Sequence, residues 1–255
     1  MSGLEAALER TEADADAALK AAAAAAAQLK KVKKAAAAGT LRELERSLSS
    51  AEELARALVD AAGAAKSGWA LDERTHLESG AYARELLEAA KAAGVGLYEQ
   101  DDRLVGYPSV VRLLPGEAAI EIDRKRQRSI RPTVVAEGLR AAQQRPVRFR
   151  AEQFLEALLR GYRLAAAEQG KESGATVRLV DVYRVLTVLP GQAAAYSRQE
   201  FARDVYLLDE SGVDVTREGF RLSLPAASGT RTSSALTTVT KSGELKLYYG
   251  VAFRR

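Results

Sequence analysis

The sequence contains no cysteine and only one histidine among its 255 residues. The absence of cysteine excludes disulfides, thiolate zinc sites and cysteine nucleophiles. With His76 as the lone histidine, histidine-dependent triads and most zinc or iron sites are excluded as well. His76 lies in a connecting segment, where we expect a polar surface residue. The sequence also lacks a phosphate-binding loop and the common hydrolase motifs, so no metal and no cofactor are expected.

Long hydrophobic runs are also missing. No stretch approaches the roughly 20 apolar residues that a membrane helix needs, because the alanine run at residues 21–27 is short and has lysines on both sides. The N-terminal residues are acidic and amphipathic, unlike a signal peptide. These features predict a cytoplasmic protein without membrane contact, and no small-molecule substrate is evident.

Alanine is abundant, mostly before residue 95, and there it helps to form an apolar stride of about 3.5 residues that is typical of a coiled-coil seam. The stride runs through Leu4, Leu8, Thr11, Ala15, Ala18, Ala22, Ala25, Leu29, Val32 and Ala36, and then through Leu41, Leu44, Leu48, Ala51, Ala55, Leu58, Ala62 and Ala65. Gly39 suits a helix C-terminus, and Ser2 with Glu5 and Thr40 with Glu43 have capping-box spacing. Residues 1–68 are therefore predicted to form an antiparallel helical hairpin, a coiled coil.

A seam made largely of alanine buries little area. Because apolar burial contributes about 25 cal/mol per Å², such a hairpin is expected to be only marginally stable alone. We therefore expect it to pack on another surface, either the rest of this chain or a partner. Net charge does not separate these alternatives, since residues 1–66 hold ten acids and ten bases.

Residues 69–170 are predicted to form a central α+β unit. A helix is expected at residues 79–93, and alternating apolar residues around Pro115-Gly116 then predict a β-hairpin. The apolar positions are Val105, Tyr107, Val111 and Leu113 on one strand and Ala118, Ile120 and Ile122 on the next. The second strand is predicted to continue into residues 124–128, and helices at residues 134–143 and 151–168 follow.

Residues 171–255, after a linker-like segment at residues 168–174, are predicted to form a winged-helix-like domain. One helix is expected at residues 180–189, and a capping box of Ser197 and Glu200 opens another. Strands are predicted at residues 219–224, 236–240 and 245–253, with a loop at residues 226–234. Helix, helix and a small antiparallel sheet is the element order of a winged helix-turn-helix. The predicted fold class is therefore α+β.

Positive charge is concentrated in residues 124–150, which hold nine Lys or Arg and one acid, Glu137. This excess of +8 exceeds the +4 of the whole chain, so the other residues sum to −4. Arginine, which makes up eight of the nine cations, suits bidentate phosphate contacts. The predicted DNA contacts are Arg124, Lys125, Arg126, Arg128, Arg131, Arg145, Arg148 and Arg150. The alternatives are an acidic protein partner, or a solvated surface whose arginines pair with acids such as Glu121 and Asp123.

A weaker chemical candidate is formed by Glu121, Asp123 and Lys125, which alternate along the predicted strand and would share one face. Two carboxylates can hold a divalent metal, and a lysine can orient water. This arrangement resembles the D…(D/E)xK core of restriction-endonuclease-like nucleases, with Asp123 and Lys125 as its second half. The resemblance covers five residues and implies a metal-dependent nuclease.

Such a nuclease needs an upstream acid, for which Asp101 and Asp102 are the candidates. A hairpin about Pro115-Gly116 places Asp123 opposite Pro108, six residues from Asp102. At roughly 3.3 Å per residue that separation is about 20 Å, which is too far for a shared metal. The alternative for this strand face is an exposed set of salt bridges.

We therefore expect a non-enzymatic DNA-binding accessory subunit of a multi-protein bacterial complex. The hairpin, residues 1–66, would dock other subunits, and the basic stretch would hold the DNA phosphate backbone. The first alternative is the metal-dependent nuclease, and the second is a structural scaffold without nucleic-acid contact.

Overall fold

The computed structural model describes residues 3–226 and 235–255. It has an α+β fold, as predicted, and divides into two compact units, Met1–Glu85 and Leu86–Arg255. The finer three-part division at residues 68 and 170 stays a prediction. Within the described residues, none of the helices has the combination of length and hydrophobicity that crossing a membrane requires.

The first unit is helical. Its helices are α1 (Leu4–Ala38), α2 (Leu41–Gly68), α3 (Glu73–Glu78) and the first residues of α4 (Ala81–Ala92).

The second unit combines sheets and helices. Its strands are β1 (Tyr98–Gln100), β2 (Arg103–Gly106), β3 (Ser109–Leu114), β4 (Ala119–Ile122), β5 (Lys125–Gln127), β6 (Val177–Arg178), β7 (Arg221–Ser223), β8 (Leu236–Val239), β9 (Leu245–Tyr248) and β10 (Gly250–Arg254). Its helices are α5 (Pro132–Gln143), α6 (Ala151–Glu168), α7 (Leu179–Leu186), α8 (Gln192–Ala195) and α9 (Arg198–Ser211).

The predicted helical hairpin is confirmed, with α1 and α2 packed against each other. Gly39 takes the left-handed conformation, at φ 69°, that ends α1. The N–H of Thr40 donates to the Ala35 carbonyl at 3.0 Å, which satisfies a carbonyl of the last turn. Thr40 is the N-cap of α2, although its hydroxyl donates to the Glu43 carboxylate at 3.3 Å and caps no backbone N–H. Ser2, the other predicted cap, lies outside the described residues.

The hairpin seam differs from the prediction at every second position. Half-buried or buried residues follow the stride Leu4, Ala7, Thr11, Asp14, Ala18, Ala21, Ala25, Gln28, Val32 and Ala35, and then Leu44, Ser47, Ala51, Leu54, Leu58, Ala61 and Ala65. The predicted positions Leu29 and Leu48 therefore lie one residue outside the seam and are exposed. Small side chains such as Ala35, Ser47 and Ala51 bring the helices together instead. Apolarity alone favours the predicted stride, because the observed seam has Asp14, Gln28 and Ser47 in place of Ala15, Leu29 and Leu48.

The start of α1 is held by residues near the end of the first unit. The carboxylate of Glu85 accepts hydrogen bonds from the backbone N–H groups of Leu4 and Glu5 at 3.0 and 3.2 Å. Glu85 also lies 2.9 Å from His76 Nε2, and both side chains are largely buried. The expectation of an exposed His76 was therefore wrong. The predicted helix at residues 79–93 is confirmed as α4, whereas the short helix α3 before it was not predicted. Ser79 is the C-cap of α3, and Gly80, with a positive φ of 73°, separates the two helices.

Strands β1 to β5 form one antiparallel sheet in sequence order. The predicted pairing of β3 with β4 is right, but its register was wrong by two residues. Val111 pairs with Ile122, which places Asp123 level with Val110 and not with Pro108. Residues Pro115–Glu117 form a 3-10 turn, and Ala118 is left-handed at φ 44°, so the connection is longer than a two-residue turn at Pro115-Gly116.

The predicted continuation of this strand through residues 124–128 was also wrong. Strand β4 ends at Ile122, and Asp123 and Arg124 form a two-residue reverse turn with φ of 48° and 66°. Strand β5 then returns beside β4, pairing Lys125 with Ile122 and Arg126 with Glu121. Positive φ at both central residues is the geometry of the hairpin turn that normally carries Asn-Gly or Asp-Gly. The sequence Asp-Arg supplies only the first of these residues, which hides the turn from sequence reasoning.

Helices α6, α7 and α9 pack with the C-terminal strands around one hydrophobic core. Strands β6, β10 and β7 form a sheet in that order, and β8 pairs with β9. Fully buried apolar residues from α6, α7, α9 and β10 fill the core, and they include Leu158, Leu179, Phe201 and Phe253. The capping box of Ser197 and Glu200 at the start of α9 is confirmed. The strands predicted at residues 219–224 and 236–240 are present with shorter bounds as β7 and β8, but the single strand predicted at residues 245–253 is instead β9 and β10, which belong to different sheets. Most of the predicted loop at residues 226–234 lies outside the described residues.

Two leucines of α6 that differ in burial provide a test of this core. Leu158 is fully buried, whereas Leu164 on the same helix is 59% exposed. Leu158→Ala is expected to lower the free energy of unfolding by about 2–5 kcal/mol, because it leaves a cavity. Leu164→Ala is expected to change it by less than about 0.5 kcal/mol. Urea denaturation measures both, and equal effects would contradict the assigned core.

Candidate nucleic-acid interface

The turn between β4 and β5 is bound to the first turns of α9. Arg203 donates from one guanidinium nitrogen to Asp123 Oδ1 at 2.9 Å, and the same carboxylate oxygen accepts the Val110 N–H at 3.1 Å. Next to it, Arg124 Nε donates to Glu200 Oε1 at 2.7 Å. Two oppositely directed ion pairs therefore join the sheet to α9.

Glu200 has two structural tasks. Its Oε2 accepts the Ser197 N–H at 2.7 Å, which completes the capping box, while Oε1 binds Arg124. Burial by itself raises the pKa of the Glu200 carboxyl, but the bonds from Ser197 and Arg124 outweigh burial and leave this pKa below its ordinary value of 4.5. Glu200 is therefore an anion at neutral pH.

Arg203 is also held between acids. Its side chain is 19% exposed, and it lies 2.9 Å from both Asp123 and Asp204. Burial lowers the pKa of Arg203, but the two carboxylates outweigh burial and raise it, so the charge is retained. Asp204 in turn accepts the hydroxyl of Tyr196 at 2.8 Å. Burial, and then the negative charge of Asp204, raise the pKa of Tyr196, which keeps that hydroxyl a donor.

A groove of about 670 Å³ opens beside this network. Its walls come from the β2–β3 and β4–β5 turns, the α5–α6 connection and one side of α9. The lining residues are Pro108, Ser109, Asp123, Arg124, Lys125, Ala142, Arg145, Pro146, Val147, Arg148, Phe149, Glu200, Arg203, Asp204 and Leu207. An adjoining cavity of about 310 Å³ shares Ser109, Asp123, Lys125, Ala142 and Arg145 with it and extends between β4, β5 and α5. We name the two together the basic groove.

Four of the eight predicted DNA contacts border the basic groove: Arg124, Lys125, Arg145 and Arg148. Lys125, Arg145 and Arg148 are exposed, and none of the three makes an ion pair with any residue that the structure describes. Arg124, in contrast, is neutralised by Glu200. The groove therefore presents three unpaired cations around a wall whose other charges are mostly compensated.

The other four predicted contacts lie outside the groove lining. Arg126 pairs with Glu117 at 2.7 Å, and Arg150 donates to Gln153 at 3.4 Å. Arg131 is the N-cap residue of α5, and Arg128 is exposed in the segment before it. A strand that continued through residue 128, as predicted, would have placed Arg124, Arg126 and Arg128 on the face of Ile120 and Ile122, and this arrangement is not found. The reverse turn places Arg126 opposite Glu121, on the polar face, and Lys125 opposite Ile122.

The residues that resemble a nuclease core are separated by the same turn. Glu121 lies within β4 between Arg112 and Arg126, whereas the Asp123 carboxylate is occupied by Arg203. Asp102 lies beyond the Arg103–Arg112 pair, at the other end of the sheet from the Asp123 turn, and Asp101 binds Gln199 at 2.8 Å. Among residues 3–226 and 235–255, no group of three His, Cys, Asp or Glu side chains is arranged to hold a metal ion.

Sequence reasoning missed the contribution of α9 to the site. The capping box identified Glu200 as the start of a helix, but nothing indicated that its second oxygen binds Arg124. Arg203 and Asp204 carried no signal at all, because they lie 80 or more residues from Asp123 in the chain.

Comparison of the chain with protein-family models, with curated proteins and with solved structures finds no match. Function is therefore inferred from the charge and geometry of the basic groove.

The lowered pKa of Glu200 predicts a specific pH dependence of stability. A carboxyl whose pKa is lower in the folded state stabilises the fold above its unfolded pKa, near 4.5, and loses that contribution as pH falls through the folded value. Glu200→Gln is expected to cost about 1–2 kcal/mol at pH 7. This deficit should shrink as pH falls below that range, because the wild-type carboxyl is then protonated as well.

The matched control is Glu137→Gln, which changes an exposed glutamate of α5. Urea denaturation of the three proteins across acidic and neutral pH measures the effect. A Glu200→Gln deficit that stays constant with pH would contradict the assigned ion pair.

Proposed function

We propose that this protein is a non-enzymatic DNA-binding accessory subunit of a multi-protein complex in the bacterial cytoplasm. The observation that carries the proposal is the convergence of Lys125, Arg145 and Arg148, without acidic partners among the described residues, on one open groove. Such a row of uncompensated cations attracts a polyanion, and the DNA backbone is the polyanion of regular charge spacing that a groove can follow.

The composition of the groove favours phosphate over an acidic protein surface. Two of the three unpaired cations are arginines, whose planar guanidinium matches the geometry of phosphate oxygens. The lining of the groove is mixed, since it also contains apolar residues such as Pro146, Val147 and Phe149, so the assignment to phosphate depends on the arginines. We therefore assign the groove to the sugar-phosphate backbone.

We further propose that the C-terminal part is a winged helix that does not read bases. The order α6, β6, α7, α9, β7, β10 and the sheet order β6-β10-β7 support a winged-helix arrangement. In that arrangement α9 takes the place of the helix that enters the major groove of DNA. Here most of α9 is buried, and Gln199, Glu200 and Arg203 are bound to residues of the β1–β5 sheet. We therefore expect the protein to contact the DNA backbone and to make no base-specific contacts.

The proposed docking element for other protein subunits is the helical hairpin. Its small seam residues leave Leu29 and Leu48 exposed, which supports the expectation that a further surface covers it. The scaffold alternative shares this docking role but predicts no salt-dependent DNA binding. The nuclease alternative stays a hypothesis to which the described residues add no support.

The groove assignment predicts how DNA binding depends on salt. Each phosphate contact contributes a slope of about −0.9 to the plot of log affinity against log salt concentration. Replacing Lys125, Arg145 and Arg148 together with alanine is expected to reduce the magnitude of that slope by about 2.7. The loss should be equal for unrelated duplex sequences, because phosphate contacts carry no base information. Fluorescence anisotropy titrations over a range of salt concentrations measure both quantities.

A charge-matched control replaces Arg160, Lys171 and Arg217 with alanine. These cations lie in the same unit, are exposed and do not line the groove. An equal change of slope in the control would show that the effect arises from the net charge of the protein and not from the groove. If the intact protein binds no duplex at low salt, the DNA-binding proposal fails and the scaffold alternative gains.

A further inference from the structure

The large exposed apolar side chains of the hairpin all lie on one of its two broad faces. They are Leu19, Leu29, Leu41, Leu48 and Val59, with exposed fractions of 67%, 56%, 75%, 51% and 70%. Four of them follow a half-buried or buried seam residue by one position, and Leu41 opens α2 one heptad before Leu48. One residue is a rotation of about 100° around a helix. Since α1 and α2 are antiparallel, the same rotation turns both sets toward the same side of the hairpin.

The alignment of the two helices supports this placement. Near the open end of the hairpin, the Arg10 guanidinium donates to the Gly68 carbonyl at 2.7 Å, and at the tip Thr40 N–H donates to Ala35. Nine positions border the groove between the two helices on the side of the exposed leucines. They are Leu8, Ala15, Ala22, Leu29 and Ala36 of α1 and Leu41, Leu48, Ala55 and Ala62 of α2. All nine are apolar, and we name this surface the leucine face.

The opposite face has a different composition. The residues that precede each seam position hold no large apolar side chain, and they include Arg10, Lys31, Glu43 and Arg46. The hairpin is therefore two-sided, since only one broad face carries a continuous apolar strip. Charged residues such as Lys33, Glu45 and Glu52 border this strip on the same side. An apolar face of this length is normally covered by another protein surface in the functional assembly.

Charge along α1 indicates what covers it. Residues 4–19 hold five acids and one base, a net −4, whereas residues 20–38 hold five lysines and no acid, a net +5. A second α1 that runs in the opposite direction places the acidic half of each helix against the basic half of the other. A parallel copy would instead bring equal charges together.

We infer that the leucine face binds a second copy of this chain, with the two hairpins antiparallel and α1 lying on α1 about a two-fold axis near Ala22. Such an interface is self-complementary, as two-fold symmetry requires. Leu8 of one copy then lies opposite Ala36 of the other, and Ala15 lies opposite Leu29, so that large side chains meet small ones. This inference rests on the proposed docking role of the hairpin and names the partner.

The first test is the mass of the full-length protein in solution, measured by sedimentation equilibrium. The expected wild-type mass is twice the 27.4 kDa of one chain. Leu29→Glu with Leu48→Glu should give monomers, because four carboxylates would be buried in the dimer. Ala24→Glu with Ala57→Glu adds the same charge at exposed positions of the opposite face and should stay dimeric. A monomeric wild type, or a Leu29/Leu48 variant that stays dimeric, overturns the inference.

The absence of cysteine allows a second test of the arrangement. Ala22→Cys should be cross-linked efficiently by a short bis-maleimide, because each copy brings its residue 22 to the axis. Ala36→Cys should not, since residues 36 of the two copies are separated by about 28 residues of helix, or roughly 42 Å. Cross-linking through residue 36 alone would overturn the antiparallel arrangement.

DNA affinity of the same variants separates this inference from the proposed function. If the Leu29/Leu48 variant is monomeric and each chain keeps the salt slope of its groove, both hold. A dimer that binds no DNA refutes the DNA-binding proposal and leaves the dimer in place.

Discussion

The paired ion pairs between the β4–β5 turn and α9 are the contacts on which the second unit depends. Arg203 and Glu200 are largely buried, so each is a charge that the fold can tolerate only with its partner present. Removing the partner of a buried charge is destabilising, whereas the pair as a whole adds little stability over a hydrophobic replacement. The main effect of the pairs Arg203–Asp123 and Glu200–Arg124 is therefore to fix the position of the β4–β5 turn against α9. They define where the sheet meets α9, and with it the width of the basic groove.

Five of the nine cations of residues 124–150 fall into two groups with different tasks. Arg124 is used to build the site, and Arg126 is matched locally by Glu117. Lys125, Arg145 and Arg148 remain for a ligand because the acids that line the groove, Asp123, Glu200 and Asp204, already bind other residues. A high local charge in the sequence thus overstates the number of cations available for binding. The useful quantity is the charge left after internal pairing.

Much of the architecture follows from sequence, and the failures have physical causes. The stride from Leu41 to Leu58 and the glycine at position 39 were sufficient for the hairpin, but apolarity favoured Leu29 and Leu48 over the seam residues Gln28 and Ser47. Alternation located β3 and β4, since Val111, Ile120 and Ile122 face a core. The turn at Asp123-Arg124 was missed because neither residue demands a left-handed backbone, and a run of cations reads equally well as a strand end. The role of Arg203 could not be predicted, because it depends on a contact with Asp123, 80 residues away in the sequence.

The double use of the Glu200 carboxylate couples two pieces of structure that would otherwise open separately. One oxygen holds the first turn of α9, and the other holds Arg124 in the β4–β5 turn. A fluctuation that frees the turn also removes the countercharge of a buried carboxylate, which loosens the helix start. The amides of both segments should therefore exchange with solvent as a single cooperative unit. A polyanion in the groove that competes for Arg124 would act on the same unit. Binding in the groove would therefore change the exchange rates of the first amides of α9.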